Sequence, residues 1–481
     1  MAKGFSCFSR LRPFLAMTTG LALAISTASW AAAPNGDDAL VQKGEYLAKA
    51  ADCVACHTAP NGKPFAGGLA ITSPMGNIVS TNITPDSETG IGHYSEADFT
   101  RALQRGIRKD GGHLYPAMPY TAYAGLNSAD IHALYLYFMK SVAPVSQKNQ
   151  PTKLSFPFNI RALMMGWNLL FLPHDAQKTD FDHLSSFERG RYLADTLEHC
   201  STCHSPRNLF MAEKKSAYLG GSPLGGWYAP NVTSSVNSGI GSWSEDDLVT
   251  YFKTGEVAGK ARAGGGMAEA VSNSLSHLTD RDLHDLASYI KQVPAINDAQ
   301  DQRPRDQYSA PVENTDLRTG ETIRVDRPVV MDGAALYDNN CASCHGGNGN
   351  GSPDQHIPSL YNNSVIGSAQ ANNLVMTILT GVQRKIDGHE VFMPSFGDQS
   401  LVQRLSDKEI ASLANYVTGR FGRGDAHLQA SDVQTIRQGG AKPFLIRYIS
   451  MLVLMGGLGI LLVLSLIYRC FKKTGRKGAA S

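Results

Sequence analysis

Three stretches of the chain repeat one order of polar and apolar positions. Each ends in a segment where a polar residue precedes an apolar-periodic run: "LNSADIHALYLYFMK" from Leu126, "LTDRDLHDLASYIKQVP" from Leu278 and "LSDKEIASLANYVTGRF" from Leu405. Apolar residues recurring at three and four positions predict an amphipathic helix. Asn127, Thr279 and Ser406 each stand three positions before an acid and predict its start, because a side-chain oxygen satisfies a backbone N–H that the helix leaves open. A shorter helix-like lead lies upstream in each case: "KGEYLAKAADC" from Lys43, "RGRYLADTLEHC" from Arg189 and "DGAALYDNNC" from Asp332. In the first two repeats the intervening segments also correspond, "STNITPDSETGIGHYSEADFTRALQRGI" from Ser80 with "APNVTSSVNSGIGSWSEDDLVTYFKTGE" from Ala229. Each is a Gly-rich loop, a Ser-Glu helix start and an apolar-periodic helix. The pattern predicts an all-α chain of three tandem units, spanning 38–147, 183–296 and 326–424, with linkers over 148–182 and 297–325.

Two apolar runs do not belong to the repeat. "FLAMTTGLALAISTASW" follows Arg10 and Arg12 and leads into "AAAP", the charged, apolar and small-residue order of a secretory signal. A signal over residues 1–33 is expected, with a retained membrane helix as the alternative. At the other end, Tyr448 to Tyr468 is a run of 21 residues without a charge, enough to cross a hydrocarbon layer of about 30 Å as a helix. A transmembrane anchor over 445–469 is therefore expected, with a buried core helix or a helix lying on a surface as alternatives. The basic tail over 470–481 would stay in the cytoplasm. That places the body on the periplasmic side of a bacterial inner (cytoplasmic) membrane, with the lipid bilayer as a partner. A third apolar segment, "LSFPFNIRALMMGWNLLFLPHD" from Leu154 to Asp175, is broken by Pro157, Asn159 and Arg161. It reads as a linker laid across a unit, or as a patch against a partner or bilayer.

Composition adds limits. A chain of 481 residues suits about three domains of roughly 100 to 200 residues. Lys+Arg 44 against Asp+Glu 42 gives a net charge of +2, without the clustered basic surface that a nucleic-acid partner requires. Gly 47 and Pro 23 imply extensive loops.

Cysteine use supplies the chemistry. Cys7 falls in the signal and Cys470 beside the anchor; six others form the pairs Cys53/Cys56, Cys200/Cys203 and Cys341/Cys344, each followed at once by a histidine, His57, His204 or His345. Disulfides or redox dithiols do not explain the invariable histidine. Zinc would take a fourth ligand many positions away, and a histidine adjacent to the second cysteine is poorly placed to close a tetrahedron. Covalent haem c accounts for all five positions: two thioether bonds to the porphyrin edge and a proximal nitrogen for iron. Three haem c groups are expected.

One histidine leaves the sixth position of each iron open. Thioether sulfur is soft and uncharged and suits iron in both oxidation states. Met118 in "YPAMPY", Met267 in "GGGMAEA" and Met393 in "VFMPSFG" all precede closing helices in Pro- or Gly-rich segments read as loops. Met75 competes with Met118 in the first unit. His356 and His389 are candidates to bond a haem propionate.

"GEYLAKAADCVACHT", "SPMGNIVSTNITPD", "LYPAMPY", "GRYLADTLEHCSTCHSPRN" and "NNCASCHG" resemble the tri-haem cytochrome c subunit of membrane-bound periplasmic dehydrogenases of acetic-acid and related bacteria, over nearly the whole mature chain. The resemblance implies three cytochrome c domains. It assigns Cys53, Cys56, His57 and Met118 to the first haem, Cys200, Cys203, His204 and Met267 to the second, and Cys341, Cys344, His345 and Met393 to the third. It further implies a large partner subunit with FAD, oxidising fructose, gluconate, sorbitol or a similar substrate, together with a small exported subunit. A quinoprotein alcohol dehydrogenase subunit with PQQ is the alternative donor, and ubiquinone is the implied acceptor. No GxGxxG fingerprint stands between a strand and a helix, so substrate oxidation is expected on another subunit. The rivals are a haem enzyme with an open sixth position, against which the three methionines argue, and a cytochrome subunit of a respiratory oxidase.

Overall fold

The computed structural model describes residues 36–174, 177–308, 332–386 and 388–477. The expected signal over 1–33 and most of the second linker lie outside the described residues, as do positions 478–481 of the tail.

One helix crossing is built three times. The lead helices Gly36–Ala50, Ser186–Tyr192 and Gly333–Asn340 pack on the closing helices Ser128–Lys140, Asp280–Lys291 and Asp407–Phe421. At each crossing stands a glycine with no room for a side chain. A Cβ on Gly44 would lie 2.0 Å from Ala133 O, one on Gly190 2.0 Å from Asp285 O, and one on Gly333 2.3 Å from Ser412 O. The caps fall where the polar pattern places them, with Asn127, Thr279 and Ser406 accepting from the N–H groups of Asp130, Asp282 and Glu409. Ten positions separate Gly190 from Cys200 and nine separate Gly44 from Cys53. The second lead absorbs the extra residue as a π-helical turn, Leu193–Leu197, which widens the coil by one residue per turn.

The all-α expectation needs correction. The fold is mostly helical, but among the described residues Gly-rich connections also close into short antiparallel sheets. Ala70–Ser73, Gly76–Val79 and Lys153–Leu154 form one of three strands, and two-stranded hairpins join Ser222–Leu224 to Trp227–Ala229, Glu256–Val257 to Ala261–Arg262, and Val382–Ile386 to His389–Met393. Their strands are two to five residues long, too short for the two-residue alternation that announces a strand in sequence.

The transmembrane anchor expected over 445–469 is also corrected. Among the described residues no helix is long and apolar enough to cross a membrane. The last helix, Phe444–Lys477, has the length, but a crossing takes about 20 consecutive apolar residues. The inner-membrane placement and the bilayer partner, which rested on that anchor, are withdrawn with it.

Apolar packing groups the three repeats unequally. One core runs through the first two, from Leu47, Phe99 and Phe138 to Leu193, Leu248 and Leu283. The third repeat has its own, around Leu336, Tyr337, Val375 and Phe421. A small cluster of Tyr120, Ala124 and Leu172 holds the helix Leu163–Phe171 against the first unit, with Trp167 and Met118 beside it. Residues 154–174 are thus laid across that unit, while Leu169 and Leu170 on the outer side are 81% and 70% exposed.

The first two units clasp each other reciprocally. The Tyr46 hydroxyl of the first lead helix donates to Asp282, in the first turn of the second closing helix. The Tyr192 hydroxyl of the second lead helix donates to Asp130 of the first closing helix at 2.9 Å. Each fully buried aspartate also meets a cation from its own unit, Lys43 with Asp130 at 3.0 Å and Arg189 with Asp282. Burial pushes the Asp130 carboxyl up while Lys43 opposes that shift. In the third unit, Ala335 holds the tyrosine's place two positions after the crossing glycine, and Glu409 holds the aspartate's place. Glu409 is used locally instead, accepting from the Ser406 N–H at 2.8 Å and the Ser406 hydroxyl at 2.7 Å.

Candidate metal centres

The cysteine pairs sit at single helical turns that follow the lead helices: both cysteines lie in the turn Cys53–Cys56, while Cys200 and Cys341 directly precede the turns Ser201–His204 and Ala342–His345 that carry Cys203 and Cys344. The first two turns are entered through a residue with left-handed backbone, Asp52 at φ 46° and His199 at φ 39°. All six thiols are free. Burial pushes Cys53 up to about 12, Cys56 to about 11 and Cys341 to about 12, and raises Cys200 strongly. A redox dithiol or zinc site needs thiolates, and these positions favour neutral sulfur, the state a thioether has permanently. Among the described residues no three His, Cys, Asp or Glu side chains come together as a metal cluster.

Each motif histidine is oriented the same way. His57 Nδ1 lies 2.7 Å from Thr81 O, His204 Nδ1 2.7 Å from Pro230 O, and His345 Nδ1 3.1 Å from Pro358 O. A carbonyl only accepts, so Nδ1 carries the proton and Nε2 is left with the lone pair that iron needs. Burial lowers the pKa of all three imidazoles, which holds them in the neutral, ligating form. The carbonyl-bearing loops are themselves pinned. Asn82 donates to Val145 O at 2.7 Å and accepts from Thr84, and Asn231 donates to Ile296 O at 2.7 Å and accepts from Thr233. The third unit lacks that asparagine loop, yet Pro358 supplies the carbonyl.

The three methionines occupy three backbone settings. Met118 lies in the expected loop, its N–H donating to Tyr115 O and its carbonyl accepting from the Tyr120 N–H. Met267 lies in the first turn of the helix Gly265–Asn273, although "GGGM" reads as a loop. Gly264 is the extended residue before the helix, and Gly265 is pressed under Trp227, whose ring a Cβ there would approach to 2.5 Å. Met393 ends the strand His389–Met393, opposite Val382. Met118 and Met267 share a local frame: a helix ends at Gly106 or Gly255, whose carbonyl accepts from the N–H of Leu114 or Ala263 at 2.7 Å. The methionine follows that residue by four positions. All three are half-buried against the cores. Free neutral sulfurs, oriented neutral imidazoles and apolar-packed methionines fit covalent haem. His356 and His389, the candidates for a propionate, are both exposed.

Other groups escaped the sequence reading. The Met267 helix packs on the Cys53–Cys56 turn of the first unit. At that seam Tyr123 donates to Ala51 O at 2.8 Å, and its ring meets the His199 ring edge-on at 5.7 Å. Ser274 donates to the buried Glu198 carboxylate at 2.7 Å. Burial, with Glu269 adding to it, pushes Asp52 up to about 8. No local motif marks these residues; they meet only because two units share one core.

Comparison with known proteins agrees with this chemistry. The cytochrome c family profile matches residues 41–142 and 330–420. The fructose dehydrogenase cytochrome subunit of Gluconobacter japonicus is 44% identical over 427 residues, 88% of this chain and 88% of that one. The cytochrome c subunit of the quinone alcohol dehydrogenase of Gluconobacter oxydans is 38% identical over 440 residues, 89% of this chain and 88% of that one. The gluconate 2-dehydrogenase cytochrome c subunit of Pantoea cypripedii is 38% identical over 437 residues, 88% of this chain and 95% of that one.

Proposed function

This chain belongs to the cytochrome c subunits related to those of the fructose, gluconate and alcohol dehydrogenases of acetic-acid bacteria, and from that premise we propose that it carries electrons from a flavin-bearing dehydrogenase subunit acting on a sugar such as fructose to ubiquinone. It is the electron-transfer subunit of a dehydrogenase complex. Its three Cys-X-X-Cys pairs carry three covalently bound haem c groups, which supply reversible one-electron iron chemistry when bound.

The proposed units, 38–147, 183–296 and 326–424, each hold one such group. Cys53 and Cys56, Cys200 and Cys203, and Cys341 and Cys344 tether the porphyrins. His57 with Met118, His204 with Met267, and His345 with Met393 would hold the three irons. The Nδ1 hydrogen bonds to Thr81, Pro230 and Pro358 fix the rings, and the apolar cores pack against the three methionines.

The observation carrying the choice of donor is the margin in identity, 44% to the fructose relative against 38% to the alcohol and gluconate relatives. A small exported subunit would complete the assembly. The test is to purify the native complex, identify copurifying subunits by mass and follow haem reduction with a substrate panel. Fructose-driven reduction with a flavin subunit present supports the reading. Ethanol-driven reduction with a PQQ subunit moves the chain to alcohol oxidation, and copurification with an oxidase overturns the dehydrogenase reading. Replacing Met118, Met267 or Met393 by alanine should each convert one of three low-spin haems to an altered ligand spectrum while leaving three haems bound.

A further inference from the structure

The three motif histidines hang from loop carbonyls in the same way, but what stands behind those carbonyls differs. In the second unit Arg305 reaches back from beyond the closing helix and donates Nη2 to Asn231 O at 2.9 Å and to Gly239 O at 3.3 Å. Asn231 directly follows Pro230, whose carbonyl holds His204. In the third unit the cation comes from a neighbour. Arg262, on the second unit's hairpin, donates to the carbonyls of Gln355 and His356, in the loop whose Pro358 holds His345. Arg262 and the buried Arg384 share one carboxylate, Glu256, at 2.8 and 2.9 Å, so that group keeps a net positive charge.

The first unit is different. Its loop is held by neutral amides, with Asn82 donating to Val145 O and Gln147 and Asn149 to Ala66 O. Among the described residues no arginine donates to the carbonyls of Asn82 or Gly90, the counterparts of Asn231 and Gly239.

Reduction of a haem iron from ferric to ferrous adds one electron and transfers no atom. A fixed positive charge nearby, in surroundings drier than water, therefore favours the reduced form. Arginine is suited to this because it does not lose its proton in a protein. Building on the ligand assignment above, we propose that Arg305 and Arg262 are positioning residues for electron transfer that raise the reduction potentials of the second and third haems, a device the first haem lacks.

The test is a redox titration of the full haem-loaded chain, read in its visible spectrum, for the native protein and for Arg305→Gln, Arg305→Lys and Arg262→Gln. Arg305→Gln and Arg262→Gln should each lower one of the three one-electron steps, and not the same one. The expected change is about tenfold in that haem's oxidised-to-reduced ratio at fixed potential, or ~59 mV for a one-electron couple. Arg305→Lys, which keeps the charge, should restore the native value. Unmoved steps in both glutamine variants overturn the proposal, as does a shift in Arg305→Gln that lysine leaves in place, since that marks a packing role. If Arg305→Gln binds fewer haems, Arg262→Gln at its half-buried site decides alone. Haem stoichiometry and axial-ligand spectra of the native chain are read separately. Fewer than three haems there would defeat the ligand assignment, whereas three haems with unmoved potentials defeat only the role of the arginines.

Discussion

The first two units and the third are made from one plan and joined in two ways. Units one and two merge their cores and exchange tyrosine-to-aspartate bonds across their seam, with the Met267 helix of one lying on the cysteine turn of the other. The third unit has a core of its own and meets the second largely through guanidinium and amide contacts, with Ile386 of its strand Val382–Ile386 packed against the shared core. Arg384 donates to Ala263 O at 2.9 Å, Asn373 bonds the backbone of Tyr228 through both its amide atoms, and Arg423 pairs with Asp301 at 2.7 Å. Two substitutions at repeat-equivalent positions, Ala335 for tyrosine and Glu409 for aspartate, separate the two outcomes. A repeat therefore preserves the site inside each unit while a few residues decide how the units associate.

The sharpest way to break this comparison is at the crossing glycines. Gly190→Val would drive a side chain into Asp285 O and cost at least about 4 kcal/mol, in the range of the most severe core lesions. Because the core is shared, haem content should fall from three per chain to one, whereas Gly333→Val should leave two. Absorbance-based haem-to-protein ratios check both, and loss of all three haems in Gly333→Val would refute the independence of the third core.

A smaller contrast lies at the third position of the closing helices. Asp282→Ala strands the buried Arg189 and removes the acceptor of Tyr46, an effect of about 3–5 kcal/mol for breaking a buried pair. Glu409→Ala removes only a capping-box partner, worth about 1 kcal/mol. Denaturant melts of the haem-loaded chain measure the difference, and equal losses would mean that the seam adds nothing.

The smallest expected effect concerns pH. Burial lowers His199 to about 4, with the Ala51 carbonyl opposing, while an unfolded imidazole titrates near 6.5. Between those values the unfolded chain binds the extra proton. The stability contributed by neutral His199 is therefore full above about 6.5 and is lost as pH falls toward 4. From pH 6.5 to 5 the loss is roughly 1–2 kcal/mol at 1.36 kcal/mol per pH unit. Asp52, pushed up to about 8, acts in the opposite sense over this range. The quantity to read is thus the difference between the native chain and His199→Asn, a residue that tolerates the positive φ. Thermal melts at both pH values should show the native chain losing stability relative to the variant as pH falls from 6.5 to 5, and a difference that does not change with pH would remove His199 from the seam's energetics.

Local features were legible in the chain. Asn127, Thr279 and Ser406 cap their helices because donor and acceptor lie three residues apart, and the same holds for Ser95 and Ser244. The haem motif was legible for a similar reason, since its chemistry is contained in five consecutive positions. The methionines were legible as candidates but not in their settings. A glycine run before Met267 permits loop or helix with little energetic preference, and the helix forms where Trp227 and the first unit give it something to pack on. The expectation for 445–469 rested on an uncharged run flanked by cations and did not hold among the described residues.

What the sequence determined by itself was the number of units, their covalent haem chemistry and the starts of their helices, because each depends on groups a few bonds or one helical turn apart. Only the tertiary structure decided that the first two units fuse and the third stands beside them, and that Arg305 and Arg262 come to lie behind two of the three histidines. Tyr46 and Asp282 are 236 positions apart, and Arg305 and Asn231 are 74 apart. Neither partner carries a local signal of the other, since such contacts form only when packing of the apolar faces has brought the units together.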